Sequence, residues 1–257
     1  MRSATRRGSS GNVSDRVARY LVQYIWENEL APGASLPSEL RASADLGVSR
    51  GIVREVYRSL NTAGIVDKAT GRQPKVSRVS SRVLTLMLQH ALATRQVSAQ
   101  QTLELRRPIE GYAAELAAMR RTPQDIAALR AELSAMREAN EIGDEFVRAD
   151  IRFHEIIGRA TGNPLFALVA SALRESMEVS IREGLSSPRA ARSDVIDTHT
   201  DIVDAIEAGD PEQARQAMAL HFDEARANVL RWELERAEAD VRAKGPERRR
   251  RRADKSD

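Results

Sequence analysis

Apolar residues recur every three to four positions along most of the chain, which is the spacing of one buried face of a helix. In the first part of the chain this pattern predicts three helices. The second starts after Ser38 and ends at Gly47, and the third starts after Ser49. Between residues 65 and 79, short β-branched runs on either side of Gly71 predict a hairpin. Three helices followed by a hairpin are typical of a winged helix-turn-helix domain.

Beyond residue 82 the pattern is helical throughout, so the predicted fold class is mainly α, a winged helix-turn-helix domain followed by an all-helical one. Pro108 lies inside an apolar-periodic stretch, where it predicts either a kink or a helix start, because proline has no backbone N–H to donate. Three dipeptides place a capping residue before a proline and predict helix starts: Thr122-Pro123, Asn163-Pro164 and Asp210-Pro211.

The charge is distributed unevenly along the chain. Residues 1–80 carry 13 basic and 7 acidic residues, a net +6; residues 81–235 carry 18 and 25, a net −7; residues 236–257 carry 9 and 5, a net +4. A basic first domain ahead of an acidic second one indicates that the first binds a polyanion. The predicted segments are a flexible basic tail (1–13), a winged helix-turn-helix domain (14–80), a helical domain (81–235) and a basic, disordered tail (236–257).

The composition excludes several classes of protein. The chain has no cysteine, so disulfides, thiol catalysis and cysteine-based zinc sites are excluded. No window approaches the ~18 consecutive apolar residues of a membrane span, and the N-terminus has no apolar signal region. We therefore expect no membrane contact and a cytoplasmic location, associated with the nucleoid.

The third predicted helix carries the residues that would contact DNA. Arg50, Arg54 and Arg58 recur at every fourth position, on the face opposite its apolar residues. Guanidinium groups near a helix N-terminus can reach guanine edges in a major groove or the neighbouring phosphates. Gly51, between two of them, permits close approach of the backbone. The alternative is a solvated basic helix face without a partner.

This region resembles the GntR family of bacterial transcription regulators. The resemblance covers residues 14–79 and rests on the segments LAPGASLPSE and LGVSRGIVRE, followed by a glycine wing. It implies that Gly71, at the tip of the wing, enters the minor groove. It also implies a DNA-facing set in the third helix: Ser49, Arg50, Gly51 and Arg54.

The chain departs from the family pattern at one position. Where the family usually has arginine after Pro-Ser-Glu, this sequence has Leu40, and an arginine follows one step later at Arg41. Either Arg41 substitutes from the shifted position or one DNA contact is lost. Arg72 or Lys75 on the wing would then compensate.

Three of the four histidines fall on helical segments of the acidic domain. Asp150 and His154 share one helix face because they are four residues apart, while His199 and His221 lie on two later helices beside apolar residues. Each histidine alone could be an ordinary core residue. Three imidazoles and a carboxylate together suit a divalent metal ion, zinc first, with nickel or manganese as alternatives.

The same domain resembles the FCD effector domain of the FadR-type subfamily, over residues 84–232. The segments that carry the resemblance are TLELRRPIE, ADIRFHEIIGRATGN, DTHTDIVDAIEAGD and ARQAMALHF. It implies an antiparallel helical bundle around a cavity that holds a metal bound by one aspartate and three histidines. The matching positions are Asp150, His154, His199 and His221.

Two further residues are candidates for effector binding. Arg106 occupies the matching ELR position and could clamp a carboxylate. Its neighbour Arg107 leaves the alternative that Arg106 is a surface residue, since only one of the two can face inward. Asn163 could point into the pocket, although its place before Pro164 is better explained by helix capping.

These observations together predict a homodimeric regulator that is not an enzyme. It would bind a pseudo-palindromic operator in double-stranded DNA, act as a repressor, and respond to a small organic acid or sugar acid. A metal-dependent hydrolase is the alternative, against which no His-Glu-x-x-His spacing is found. A nonspecific nucleoid-coating protein is favoured only by the arginine run 248–252, which is otherwise a solvated charge run.

Overall fold

The computed structural model describes residues 10–69, 71–139, 143–177 and 192–253. It divides into two compact units, residues 1–83 and 84–257. No helix in the described part is long and apolar enough to cross a membrane.

The first unit contains three helices and a hairpin, as predicted. These elements are α1 (Ser10–Glu27), α2 (Glu39–Leu46), α3 (Arg50–Thr62), β1 (Val66–Asp67) and β2 (Lys75–Val76). The strands are antiparallel, with Val66 opposite Val76.

Local signals at the ends of the helices explain where they begin and end. The Ser38 hydroxyl accepts from the backbone N–H of Arg41, and the Ser49 hydroxyl accepts from that of Ile52. Gly47 ends α2 with φ +65°, a conformation that costs glycine little because it has no Cβ. The predicted caps of both helices are therefore confirmed.

The predicted N-terminal tail is wrong in part. Helix α1 begins at Ser10, so residues 10–13 are helical rather than part of a flexible tail. Val17 and Leu21 on this helix are fully buried, and a helix anchored by such packing extends by a turn at little cost. The remaining predicted tail, residues 1–9, lies outside the described residues.

The second unit is helical throughout the part that the structure describes. Its helices are α4 (Arg82–Ala93), α5 (Ala99–Arg120), α6 (Pro123–Glu138), α7 (Asp144–Ala160), α8 (Pro164–Ser176), α9 (Arg192–Ala208) and α10 (Pro211–Ala253). The three predicted proline starts are confirmed. Pro108 is not a helix start, because α5 begins nine residues earlier, where Ser98 and Gln101 form a capping box.

The prediction of a disordered C-terminal tail is contradicted. Helix α10 continues through residues 236–253, a stretch in which arginine and alanine, both good helix formers, outnumber the helix-breaking Gly245 and Pro246. Residues 254–257 lie outside the described part of the chain.

A glycine brings two helices of the second unit close together. A Cβ at Gly158 on α7 would lie 2.7 Å from the Cα of Ala167 on α8, closer than real Cβ contacts. This tight crossing places α8 beside the face of α7 that carries Asp150 and His154.

Candidate functional site

Three buried imidazoles meet in the second unit, one from each of three helices. They belong to His154 on α7, His199 on α9 and His221 on α10. Their ring centroids are 5.6 Å apart for His154 and His199, 5.2 Å for His154 and His221, and 4.5 Å for His199 and His221. One nitrogen of each ring lies within 4.8 Å of the corresponding nitrogens of the others. The structure therefore brings together all three histidines of the predicted metal set.

The outward nitrogens of two rings have partners that assign their protons. His199 Nδ1 lies 2.6 Å from the Val195 carbonyl oxygen, which can only accept, so Nδ1 carries the proton. The Thr198 hydroxyl donates to the same carbonyl at 3.0 Å and can accept from His221 Nδ1 at 3.3 Å. Each ring then has an unprotonated Nε2, which is the form that binds a metal.

Asp150 completes the cluster on the side of His199. Its Oδ1 lies 3.0 Å from His199 Nε2 and 4.0 Å from His154 Nε2. Burial lowers the pKa of His199 well below its ordinary value, so its Nε2 presents a lone pair to a carboxylate oxygen. Two acceptors at this distance repel unless a cation lies beside them, and the guanidinium of Arg174 on α8 contacts the other oxygen of Asp150, Oδ2. Both ring nitrogens of His154 are buried and complete no hydrogen bond in the described residues, and Nε2 faces the other donors, so the set fits a divalent metal ion.

Two charged residues of this site were missed by the sequence reasoning. Arg174 on α8 forms an ion pair with Asp150 Oδ2. Glu110 on α5 lies between two groups, with Oε1 2.7 Å from Arg106 Nε and Oε2 2.5 Å from His154 Nδ1. Burial by itself would raise the pKa of Glu110, but the charge of Arg106 and the contact with His154 outweigh it and lower the pKa, so the carboxylate stays ionised.

Both missed residues had a signal in the sequence. Glu110 follows Arg106 by four residues, the spacing of an ion pair on one helix face. Arg174 lies among the buried Ala170, Leu173 and Met177, where an arginine on an apolar stripe implies a buried partner.

A cavity beside the cluster contains the predicted effector arginine. Arg106 lines it together with Asp150, Arg174, His221 and Phe222. The Arg106 side chain is 1% exposed, its guanidinium lies 4.9 Å from the centroid of the Phe222 ring, and its Nη2 has no hydrogen-bond partner in the described residues.

Arg107 points the other way, and Asn163 lies elsewhere. The Arg107 side chain is 47% exposed and donates twice to Asp223, at 2.9 Å each. Of the two adjacent arginines, Arg106 is therefore the inward one. Asn163 is exposed and its side-chain oxygen accepts from the backbone N–H of Leu165. The helix-cap alternative for Asn163 is therefore confirmed, and Asn163 is not among the residues that line this cavity.

A second concave surface lies in the first unit, between α3 and the hairpin. The predicted DNA-binding residues Arg50, Arg54, Gly71 and Arg72 line it. Other lining residues include Ser38, Glu39, Leu40, Arg58, Asn61 and Lys68.

Four predicted DNA-binding residues are not among the residues that line this surface: Arg41, Ser49, Gly51 and Lys75. Ser49 caps α3, and a Cβ at Gly51 would meet only the Ser49 hydroxyl at 3.8 Å, so the protein's own packing does not require glycine there. Arg41 points toward Asp45, with Nε 3.8 Å from Oδ2, while Leu40 lines the surface in its place. Lys75 is exposed on β2, opposite Asp67.

Two family matches account for most of the chain. The family described as bacterial regulatory proteins, gntR family, matches residues 13–76, and the FCD domain matches residues 101–224. The chain belongs to the gntR family. The first match contains the concave surface, and the second contains every residue of the histidine cluster.

Relatives of this gntR-family protein span most of its length. The galactonate operon transcriptional repressor of Escherichia coli (strain K12) is 28% identical over 212 residues, 80% of this chain and 92% of the relative. The HTH-type transcriptional repressor NanR of Cronobacter sakazakii is 29% identical over 217 residues, 82% of this chain and 83% of the relative. The solved structure of Streptococcus agalactiae GntR superposes with a TM-score of 0.60 at 27% identity, covering 83% of this chain and 99% of that one.

The family and these relatives establish the class of function. The protein is a transcription regulator that binds operator DNA through its helix-turn-helix domain and carries an FCD effector-binding domain. The predicted regulator is thus confirmed, and the alternative of a metal-dependent hydrolase is wrong, since the relatives are repressors rather than enzymes.

Proposed function

We propose that this regulator is a homodimeric repressor that binds a pseudo-palindromic operator. Its affinity for the operator changes when a small organic acid or sugar acid binds beside a metal ion in its FCD domain. The observation that carries the proposal is the position of Arg106. Its buried, unpartnered Nη2 lines the same cavity as Asp150 and His221. A carboxylate in the cavity would contact both the guanidinium and the ion.

The residues that would hold the ion are Asp150, His154, His199 and His221. The inward Nε2 atoms and Asp150 Oδ1 are nitrogen and oxygen donors that suit zinc, with nickel or manganese as alternatives. A divalent ion bound there supplies a Lewis-acid position for one oxygen of an organic acid. One relative represses the galactonate operon, and galactonate is a sugar acid, which supports the same chemical class for this chain.

The arginines of α3 support operator recognition. Arg50 and Arg54 lie on a helix whose buried face packs in the core of the first unit, so the guanidiniums face outward as a major-groove contact requires. Gly71 and Arg72 place the hairpin tip on the rim of the same surface.

An apolar stripe on α5 supports the homodimer. Leu105, Tyr112 and Met119 recur at seven-residue spacing and are 52%, 50% and 52% exposed. Side chains at that spacing form one continuous seam on a helix, which a second copy of the chain can cover. Two copies related by a two-fold axis would present two helix-turn-helix domains to two inverted half-sites.

The test combines elemental analysis with operator binding. Duplexes selected from a random library should contain two inverted half-sites, and the purified protein should contain about one divalent ion per chain. A panel of hydroxy acids and sugar acids, D-galactonate included, should then change operator affinity in the presence of zinc and lose that effect after chelation. An acid that acts equally well on chelated protein would contradict the metal-containing pocket.

A further inference from the structure

Glu110 occupies an unusual position, because its one carboxylate contacts both halves of the effector site. Oε1 lies 2.7 Å from Arg106 Nε on the same helix, and Oε2 lies 2.5 Å from His154 Nδ1 on α7. The Glu110 side chain is 3% exposed, so no bulk water competes for either oxygen.

The contact with His154 differs in kind from those of the other two imidazoles. His199 and His221 face a backbone carbonyl and a hydroxyl, which are neutral acceptors. In the described part of the cluster, only His154 has a carboxylate against its outward nitrogen. The two atoms are in close contact, but neither completes a hydrogen bond among the described residues. A carboxylate at the Nδ1–H of an imidazole fixes the ring orientation and makes Nε2 a stronger donor to a metal, and Glu110 is placed to do this for His154 once that bond closes.

The contact between Glu110 and Arg106 orients the guanidinium of Arg106. Glu110 engages Nε, on the inner edge of the guanidinium, and the Phe222 ring lies 4.9 Å from Arg106 Cζ. These two contacts fix the plane of the guanidinium and leave Nη2 without a partner among the described residues. A group held in this way is preorganised for a carboxylate, because less side-chain entropy is lost on binding.

We propose that Glu110 is a positioning residue that couples the metal to the effector arginine, orienting His154 with one oxygen and Arg106 with the other. This inference rests on the proposed metal site. A change in the position of Arg106 would then shift the Glu110 carboxylate and so change the orientation of His154. A change at His154 would shift Arg106 in turn, with the same coupling energy.

The test uses zinc alone, measured by competition with a chromophoric chelator. Glu110→Gln keeps the size of the side chain and removes its charge, and it should raise the zinc Kd by about 10- to 100-fold. Glu115→Gln is the matched control, because Glu115 lies on the same helix, is 30% exposed, and lies 4.0 Å from Arg215. The control should keep the wild-type Kd, and thermal unfolding should show that both variants fold.

A double-mutant cycle separates positioning from simple charge. Removing the positive charge of Arg106 would by itself strengthen zinc binding. If Arg106 acts through Glu110, Arg106→Met should instead raise the zinc Kd in the wild-type background and fail to raise it in Glu110→Gln. In ¹⁵N-histidine spectra of the zinc-loaded protein, the Nδ1 proton of His154 should move upfield in Glu110→Gln and stay in place in Glu115→Gln.

The outcomes are distinguishable from a failure of the proposed function. Wild-type protein that binds no zinc overturns the metal site, and the role of Glu110 falls with it. Wild-type protein that binds zinc, together with a Glu110→Gln variant that matches Glu115→Gln in Kd and spectrum, overturns only the role of Glu110. Equal effects of Arg106→Met in both backgrounds overturn the coupling.

Discussion

Arg54 on α3 pairs with Glu39 at the start of α2, with Nε 3.1 Å from Oε2. The other oxygen of Glu39 contacts Lys68, next to the hairpin. These contacts with Lys68, and then with Arg54, lower the pKa of Glu39, so it is charged at neutral pH. Arg54 also lines the concave surface, so we expect its two terminal nitrogens, rather than Nε, to contact DNA.

The first prediction concerns the two arginines at the start of α3. Arg50→Ala and Arg54→Ala should each cost ~1–3 kcal/mol of operator binding, because each removes a charged donor from the groove-facing surface. Fluorescence anisotropy with a labelled operator duplex measures this. Arg19→Ala, an exposed arginine on α1, is the control and should bind as wild type. Wild-type affinity in both α3 variants would show that this helix does not bind in the major groove.

The second prediction concerns Glu39 itself. Glu39→Gln removes a negative charge from the DNA-facing surface and frees Arg54, so affinity for random duplex should rise while preference for the operator falls. The measured quantity is the ratio of the two Kd values at one salt concentration. Glu55→Gln is the control, since Glu55 lies 3.4 Å from Arg58 and does not contact Arg54 in the described structure. An unchanged ratio in Glu39→Gln would show that Arg54 needs no such support.

The third prediction uses the adjacent arginines of α5 as a matched pair. Arg106→Met should abolish the effect of an active organic acid on operator binding, because the buried guanidinium lines the cavity. Arg107→Met should leave that effect intact, because Arg107 faces solvent and pairs with Asp223. Operator anisotropy during titration with the acid reports both variants. Equal responses from the two would exclude Arg106 as the carboxylate clamp.

The fourth prediction concerns the acid stability of the metal-free protein. Burial lowers the pKa of His199 and of His221 well below the ordinary value, so both are neutral in the folded state. Below about pH 6.5 the unfolded chain takes up protons that the folded chain does not, so the free energy of unfolding falls as the pH falls. Above that pH both states are neutral at these residues and the effect vanishes.

Urea unfolding in the presence of chelator, at several pH values between 5.5 and 8, tests this. His221→Asn should lose part of the acid sensitivity, whereas His90→Asn, an exposed histidine on α4, should keep all of it. Added zinc should steepen the acid loss in the wild type, because protons compete with the ion for the imidazoles. Identical pH profiles for the two variants would mean that the buried imidazoles do not contribute.

The histidine cluster shows how far spacing alone can predict a site. Asp150 and His154 had to share a face of α7, because four residues make about one helical turn. Whether His199 and His221 would join them depended on how α9 and α10 pack, and the spacing of residues in the sequence does not determine that packing. Their place beside apolar residues favoured inward positions, and the resemblance to the FCD domain added the expectation that they meet. The geometry of the rings adds which nitrogen of His199 and of His221 faces inward.

Local chemistry determined the helix starts and turns of this protein. Ser38, Ser49 and the proline starts depend on hydrogen bonds and dihedral angles within a few residues, so they could be predicted from the sequence. Only the tertiary structure decided that Arg106 rather than Arg107 is buried, and that Glu110 and Arg174 join the site. The physical reason is that a charged side chain is buried only where another helix supplies its counter-charge, and which helix does so depends on packing between segments far apart in the chain.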